Sequence, residues 1–255
     1  VIRDATPADF PLIREILLGA NDAPYDIAPV LEEKVFGPGF AGTPRVRIAE
    51  NAGVAVSCGK HLRLLGVTRE RRGRGVGTAL LRDSNAAVIG AEAGNYFLPG
   101  VPLRDEPFFV KRGYERTALT WNLHAKLWSA GDPARDAPHD LLVAIDSRFL
   151  DFVRREFGNI WAFEAAKGAA GFLIPDVAFA VIEANNRGLG TFGPTGVAKA
   201  HRGKGHGRAV LQAALAALAR RGYERAVIPW TDALEFYRRS CGAEPAHQFA
   251  TLTRR

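Results

Sequence analysis

A sixteen-residue segment occurs twice in this 255-residue chain, at a spacing of 130 residues. "GVTRERRGRGVGTALL" runs from Gly66 to Leu81 and "GVAKAHRGKGHGRAVL" from Gly196 to Leu211, and the two superimpose without a gap. Gly66, Val67, Arg72, Gly73, Gly75, Gly77 and Leu81 recur as Gly196, Val197, Arg202, Gly203, Gly205, Gly207 and Leu211. A second pair follows in the same order: "FFVKRGYE" (Phe108 to Glu115) and "FYRRSCGAE" (Phe236 to Glu244), each an aromatic pair, basic residues and a glycine. Similarity at a fixed period marks one structural unit used twice, and this period is a domain's length. The boundary falls in "WSAGDPARDAPHD" (Trp128 to Asp140), whose Gly, Pro, Ser and Asp suit a linker. The expected domains are residues 1–128 and 129–255.

Each copy reads as a strand, a glycine-rich turn and a helix. In the second, Val197 and Ala198 end a strand, and "RAVLQAALAALARRGY" is a helix stopped by Gly222, with Val210, Leu211, Ala214, Leu215 and Leu218 on one face. The chain opens with a short apolar strand, followed by a helix start with Thr6 as cap, Pro7 in the first position and Asp9 after it. Strand followed by amphipathic helix is a natural start for an α/β unit. Glycines between a strand and a helix N-terminus let an anion approach unpaired backbone N–H groups, with the helix dipole favouring negative charge. Arg72 and Arg74 in one copy, and Arg202 and Lys204 in the other, add positive charge. No GxxxxGK[ST] string is present, and the glycines run GxGxG rather than GxGxxG, so neither nucleotide hydrolysis nor hydride transfer is indicated.

The net charge of +7 favours polyanions in general. The arginines are scattered and not interleaved with aromatics, so no nucleic-acid partner is expected. No apolar run reaches the length of a membrane span, and the opening residues lack the pattern of a signal peptide. A cytoplasmic protein without a membrane partner is expected. Cys58 and Cys241 show no metal or redox spacing, so no metal is expected and the cysteines are read as reduced thiols.

Arg72-Gly-Arg-Gly-Val-Gly77 and Arg202-Gly-Lys-Gly-His-Gly207 resemble the R/Q-x-x-G-x-G/A pyrophosphate loop of the GNAT acyltransferase superfamily. The preceding strand, the following helix and the later aromatic motif are similar too, and the resemblance covers roughly the latter two thirds of each half. It implies two tandem GNAT-like domains, each a mixed central sheet flanked by helices, that bind acetyl-CoA. The cofactor contacts it implies are Val67 and Val197 as open strand edges for pantetheine. For the phosphates it implies Arg72, Gly73, Arg74, Gly75, Val76, Gly77 and Thr78 in one loop, and Arg202, Gly203, Lys204, Gly205, His206, Gly207 and Arg208 in the other. The stretches Gly19 to Asn51 and Leu141 to Asn186, where acceptor recognition normally lies, match by position alone.

Moving an acetyl group to a primary amine requires a proton source for the departing thiolate and a route for the amine's proton. Tyr237 stands where the family carries its general acid, and the first half has Phe109 there. The chemistry is therefore expected in the C-terminal half, on a small-molecule or peptide amine. A core tyrosine beside Phe236 is the other role open to Tyr237. The strand before the second loop offers no carboxylate base; Glu183, Asp232 and Glu235 are the nearest in sequence, and His61 precedes the first loop. The alternative is a non-catalytic acyl-CoA-binding protein. A monomer whose halves form an internal pseudo-dimer is expected.

Overall fold

A computed structural model describes residues 1–21, 27–93, 98–127, 141–184 and 186–255. The expected linker, 128–140, lies outside the described residues. The contacts define two compact units, one of Val1–Thr120 with Phe249–Arg255 and one of Trp121–Gln248. The division follows the sequence halves except at two strands, whose ends serve different units.

In the first unit the order is β1 (Ile2–Asp4), a 3-10 turn at Pro7–Asp9, α1 (Phe10–Ala20), α2 (Leu31–Phe36), β2 (Arg45–Ala49), β3 (Gly53–Cys58) and β4 (His61–Val67). It continues through α3 (Val76–Ser84), β5 (Val88–Ile89), β6 (Val101–Pro102), α4 (Glu106–Val110) and the first residues of β7 (Tyr114–Lys126). The expected start of α1 is present: the Asp9 carboxylate accepts the Thr6 N–H at 2.8 Å and the Thr6 hydroxyl at 3.1 Å. The hydrogen bond from Arg3 holds Asp9 well below the usual carboxylate range. Strands β1 to β4 form an antiparallel ladder. Leu80 and Leu81 of α3 meet Ala55, Leu62 and Ile89 in the core, which the tail residues Ala250 and Leu252 complete. Leu252 pairs with Ile89, so the chain's last strand closes the first unit's sheet.

The second unit holds the rest of β7, then β8 (Leu142–Val143), α5 (Ser147–Phe157), α6 (Asn159–Ala165), β9 (Ala170–Ile174), β10 (Ala178–Ile182) and β11 (Phe192–Val197). After these come α7 (His206–Arg220), β12 (Arg225–Thr231), α8 (Leu234–Cys241) and β13 (Glu244–Arg254) as far as Gln248. Strands β8 to β11 are antiparallel, and β12 pairs with β7. Alternate residues of β10 face opposite sides, as strand geometry requires. Ala178, Ala180 and Ile182 pack with α7, and Phe179 and Val181 pack with Phe149, Phe152 and Ala162 of α5 and α6. The helix α7 buries the residues the sequence placed on its inner face, together with a run of alanines.

Candidate functional site

In both units the strand leading to the glycine loop is bonded on one side and open on the other. In the first, β4 pairs with β5 only at His61 and Leu62. In the second, Thr191, just before β11, makes an isolated parallel bridge to Val227 of β12. Beyond these points the strands part, and an open edge presents unpaired N–H and C=O groups to which an extended amide chain can add. Each edge strand also carries an extra residue near its start. Arg63 has no partner between Leu64, opposite Val56, and Leu62, opposite Ser57, while Gly193 and Pro194 lie between the pairs of Ala180 with Thr195 and Ile182 with Phe192. Such bulges bend a strand and redirect its side chains.

The seven repeated residues each have a physical cause. At Gly66 a Cβ would stand 2.8 Å from Leu17 of α1, and at Gly196 it would collide with Phe157 of α5, so each glycine lets the unit's first helix lie on the edge strand. Arg72 Nε donates to the Val67 carbonyl at 3.2 Å, and Arg202 Nε to the Val197 carbonyl at 3.2 Å, tying each loop back to its strand end. At Gly73, Gly75, Gly203 and Gly205 φ lies between 75° and 86°, a region costly for side chains with a Cβ. A Cβ at any of these four would point into open space, leaving room for a ligand against the backbone. Gly77 faces Val67 and Phe108, Gly207 faces Val197 and Phe236, and in both cases a Cβ would stand 3.2–3.5 Å away. Leu81 and Leu211 are core residues.

Gly75 and Gly205 immediately precede α3 and α7. The N–H groups of Val76, Gly77 and Thr78, and of His206, Gly207 and Arg208, are therefore first-turn donors without a helical acceptor. Lys204 Nζ donates to the Ala200 carbonyl at 3.3 Å, and the His206 ring lies 6.3 Å from that of His201. Around the first loop the parted strands form a cleft of about 490 Å³. Val67, the glycines, Leu62, Ile89, Phe108 and Arg112 line it. This site fits a ligand with an anionic head and an apolar, amide-bearing arm. Among the described residues no group of three or more His, Cys, Asp and Glu side chains could hold a metal, and no helix is long and apolar enough to cross a membrane.

The aromatic pairs stand alike. Phe108 and Phe109 meet edge to face at 4.9 Å, and Phe236 and Tyr237 at 5.0 Å. Tyr237 is 6% exposed, packs against Phe192, and belongs to the core of its unit. Among the described residues its hydroxyl has no hydrogen-bond partner. Burial, with smaller contributions from Cys241 and Asp232, pushes the phenol well above its ordinary range.

The carboxylates nearest in sequence have other employment. Both oxygens of the buried Glu183 are engaged, by the Gly188 N–H at 2.8 Å, the Tyr223 hydroxyl at 2.5 Å and Arg221 at 3.0 Å. It holds the turn before β11, and burial, with its hydrogen bond, pushes the Tyr223 phenol up to about 12. Glu235 is bound to Arg238 at 2.9 Å and to Arg239, which lowers its pKa. Asp232 is exposed and does not cap α8; the Thr231 hydroxyl accepts the Ala233 N–H instead. In the first unit His61 Nδ1 lies 2.9 Å from the Gly90 carbonyl, across the closed end of the gap. A buried pair, Arg63 and Glu92 at 2.7 Å, was not legible in the sequence, because it depends on the bulge that turns Arg63 inward.

The acetyltransferase (GNAT) family model matches residues 122–243. Among solved structures, the GCN5-related glucosamine N-acetyltransferase region of a fungal multi-domain GH3 β-N-acetylglucosaminidase is similar over 99% of this chain, with a TM-score of 0.72 and 19% identity. This chain spans 38% of that protein's length. A tandem GNAT protein from the clavulanic acid biosynthesis pathway matches 99% of this chain and 97% of its own, with a TM-score of 0.67 and 16% identity. A GCN5-related N-acetyltransferase from Sphaerobacter thermophilus matches 99% and 94%, with a TM-score of 0.67 and 18% identity. No curated protein matches by sequence. Over residues 122–243 the chain thus carries a domain of the GNAT acetyltransferase family, and the fold along its whole length is that of tandem GNAT proteins.

Proposed function

We propose that the protein transfers an acetyl group from acetyl-CoA to a primary amine of a small molecule or peptide, with the chemistry in the C-terminal half. The observation that carries this reading is the pairing, in one unit, of an open glycine loop with Tyr237, whose ring is held in the core against Phe192 and Phe236. The duplicated units are proposed to be residues 1–128 and 129–255, with the last strand exchanged into the first unit's sheet.

Acetyl-CoA would supply a thioester whose carbonyl carbon the amine attacks, forming the C–N bond as the C–S bond breaks. Val197 and the open β11 edge hold the pantetheine arm. Arg202, Gly203, Lys204, Gly205, His206, Gly207 and Arg208 surround the pyrophosphate, as Arg72, Gly73, Arg74, Gly75, Val76, Gly77 and Thr78 do beside Val67. An ordinary thiol has a pKa near ~8.5 and a phenol near ~10, and burial raises Tyr237 further. Complete proton transfer to the departing sulfur is therefore uphill. Tyr237 acts by donating a hydrogen bond to the negative charge as it develops on sulfur, a preorganised interaction strongest in the transition state. Asp232, exposed and close enough to influence Tyr237, attracts the acceptor's ammonium form. Its proton leaves to water, since Glu183 and Glu235 are engaged.

The test is thiol release from acetyl-CoA with a panel of amines. Tyr237→Phe is expected to lower kcat by roughly 10²–10³-fold, the range for loss of one preorganised hydrogen-bond donor, with the acetyl-CoA Kd unchanged. Equal turnover by wild type and variant would remove Tyr237 from the chemistry. For the N-terminal half, Phe109 favours the second reading, a copy that binds acyl-CoA without turning it over.

A further inference from the structure

An amine attacks a thioester carbonyl from above or below its plane, not within it. An arm that adds to the open edge of β4 lies in the plane of the sheet, so an acceptor must come through one of the sheet's two faces. On one face α3 and α4 cover the gap, where Leu80, Leu81 and Phe109 share a core with Leu62 and Ile89. The face of α1 and α2 is the one left for an acceptor.

That face is closed at the inner end of the gap. The bulge turns Arg63 to this side, where Nη1 donates to the Lys34 carbonyl at 3.1 Å and the Gly37 carbonyl at 2.7 Å, at the end of α2. Its Nε donates to Glu92 Oε2 at 2.7 Å, beyond the end of β5. Arg63 thus reaches from one strand of the gap to the chain leaving the other, and it lines the cleft with only 1% of its side chain exposed. Residues 37–44, which connect α2 to β2, lie over the pair as a strap. Gly39 rests on it so closely that a Cβ would collide with Glu92 Oε1, Arg63 Nη2 and Cys58 Sγ. The strap is tied on both sides, by the Cys58 thiol donating to the Gly42 carbonyl at 3.3 Å and the Phe40 N–H donating to the Ala93 carbonyl at 3.2 Å. A buried ion pair of this kind stays shut, because either charge left alone in the interior loses its solvation.

The second unit has neither part at these positions. Its bulge carries Gly193 and Pro194 where the first has Arg63. Its connection from α6 to β9 is residues 166–169, and the Ala169 N–H donates to the Ile182 carbonyl at 2.9 Å, so the chain turns straight back onto β10.

Resting on the reading of the first loop as a coenzyme A site, we propose that the Arg63–Glu92 pair and its strap close the N-terminal cleft to amine acceptors, so that this half retains an acyl-CoA thioester unreacted. Arg63 and Glu92 are specificity residues here: they admit the coenzyme along β4 and exclude the second substrate. The closure acts independently of Phe109, since it bars the nucleophile and not the departure of the thiolate.

The experiment follows hydroxamate formation from acetyl-CoA and hydroxylamine in a Gly205→Glu parent, which leaves the N-terminal cleft to bind. Hydroxylamine is small and attacks thioesters unaided; its nitrogen bonds to the carbonyl carbon as the C–S bond breaks and the coenzyme thiol leaves with a proton. With protein in excess over acetyl-CoA, the reaction is expected to run at least about 10-fold slower than with free acetyl-CoA, because attack waits for local opening or release. Arg63→Ala with Glu92→Ala removes both charges, so that neither is left buried alone. This double variant is expected to bring the rate within about 3-fold of the free thioester, as a cleft that is always open implies, with the calorimetric Kd for acetyl-CoA unchanged. Gly39→Ala, which lifts the strap and leaves the pair in place, is expected to act in the same direction and serves if the double variant does not fold. A parent that binds acetyl-CoA and leaves it as reactive as the free thioester would overturn the closure, and so would protection that persists in both variants. A folded parent that binds no acetyl-CoA would overturn the coenzyme reading of the first loop, on which the closure rests.

Discussion

Gly66 and Gly196 explain why the repeat has a glycine where no turn is needed. Both lie within edge strands and both are overlain by the first helix of their unit, through Leu17 in one and Phe157 in the other. Phe157 also stacks on Phe179 at 5.1 Å and on Trp161 at 5.7 Å, so it has little freedom to retreat. Gly196→Val is expected to destabilise the second unit by about 1–3 kcal/mol through overpacking, read as a lowered urea midpoint. A midpoint equal to wild type would mean that α5 does not lie on β11 as described. Gly203→Ala sits in open space and acts through its positive φ instead, which shows how identical residues in one motif answer to different constraints. From the sequence these glycines look alike; only the neighbours separate packing glycines from turn glycines. Arg112 was visible as one of the basic residues after an aromatic pair, but its hydrogen bonds to Thr78 and its place over the Phe108 ring are not revealed by its position in the chain.

Among the elements, α7 was readable because its apolar residues repeat at helical spacing and Gly222 ends the pattern, with φ at 89°. β11 was harder, since two glycines and a proline in "FGPTGV" argue against a strand; pairing with β10 overrides that local preference. The strands that contribute to both units could not be foreseen, because strand exchange leaves no mark on periodicity. β7 brings His124 into the second unit, where burial, with the charges of Arg225 and His247, pushes it down to about 4. His247, 5.7 Å away, is lowered too, also chiefly by burial. Both imidazoles are neutral in the folded unit, whereas an unfolded histidine titrates near ~6.5. The folded state thus binds fewer protons, and its stability is full above the unfolded pKa and falls as the pH drops from about 6.5 toward 4. The urea midpoint followed from pH 8 to 4.5 should decline over that window, and less steeply in His124→Gln. Parallel profiles for the two proteins would contradict the assignment.

For the whole molecule, the duplication accounts for more than any single motif. Two units repeat the same parted strands, bulge, glycine loop, helix and aromatic pair, and they differ where chemistry would differ: a tyrosine in one and a phenylalanine in the other. The central claim is that the loops are coenzyme A sites. Its most direct test is calorimetric titration of acetyl-CoA into wild type, Gly75→Glu and Gly205→Glu, each of which sets a carboxylate against one loop. The account predicts binding to wild type, loss of the N-terminal contribution in Gly75→Glu, and loss of the C-terminal contribution together with amine acetylation in Gly205→Glu. Absence of binding to folded wild type, or binding that neither substitution alters, would contradict it.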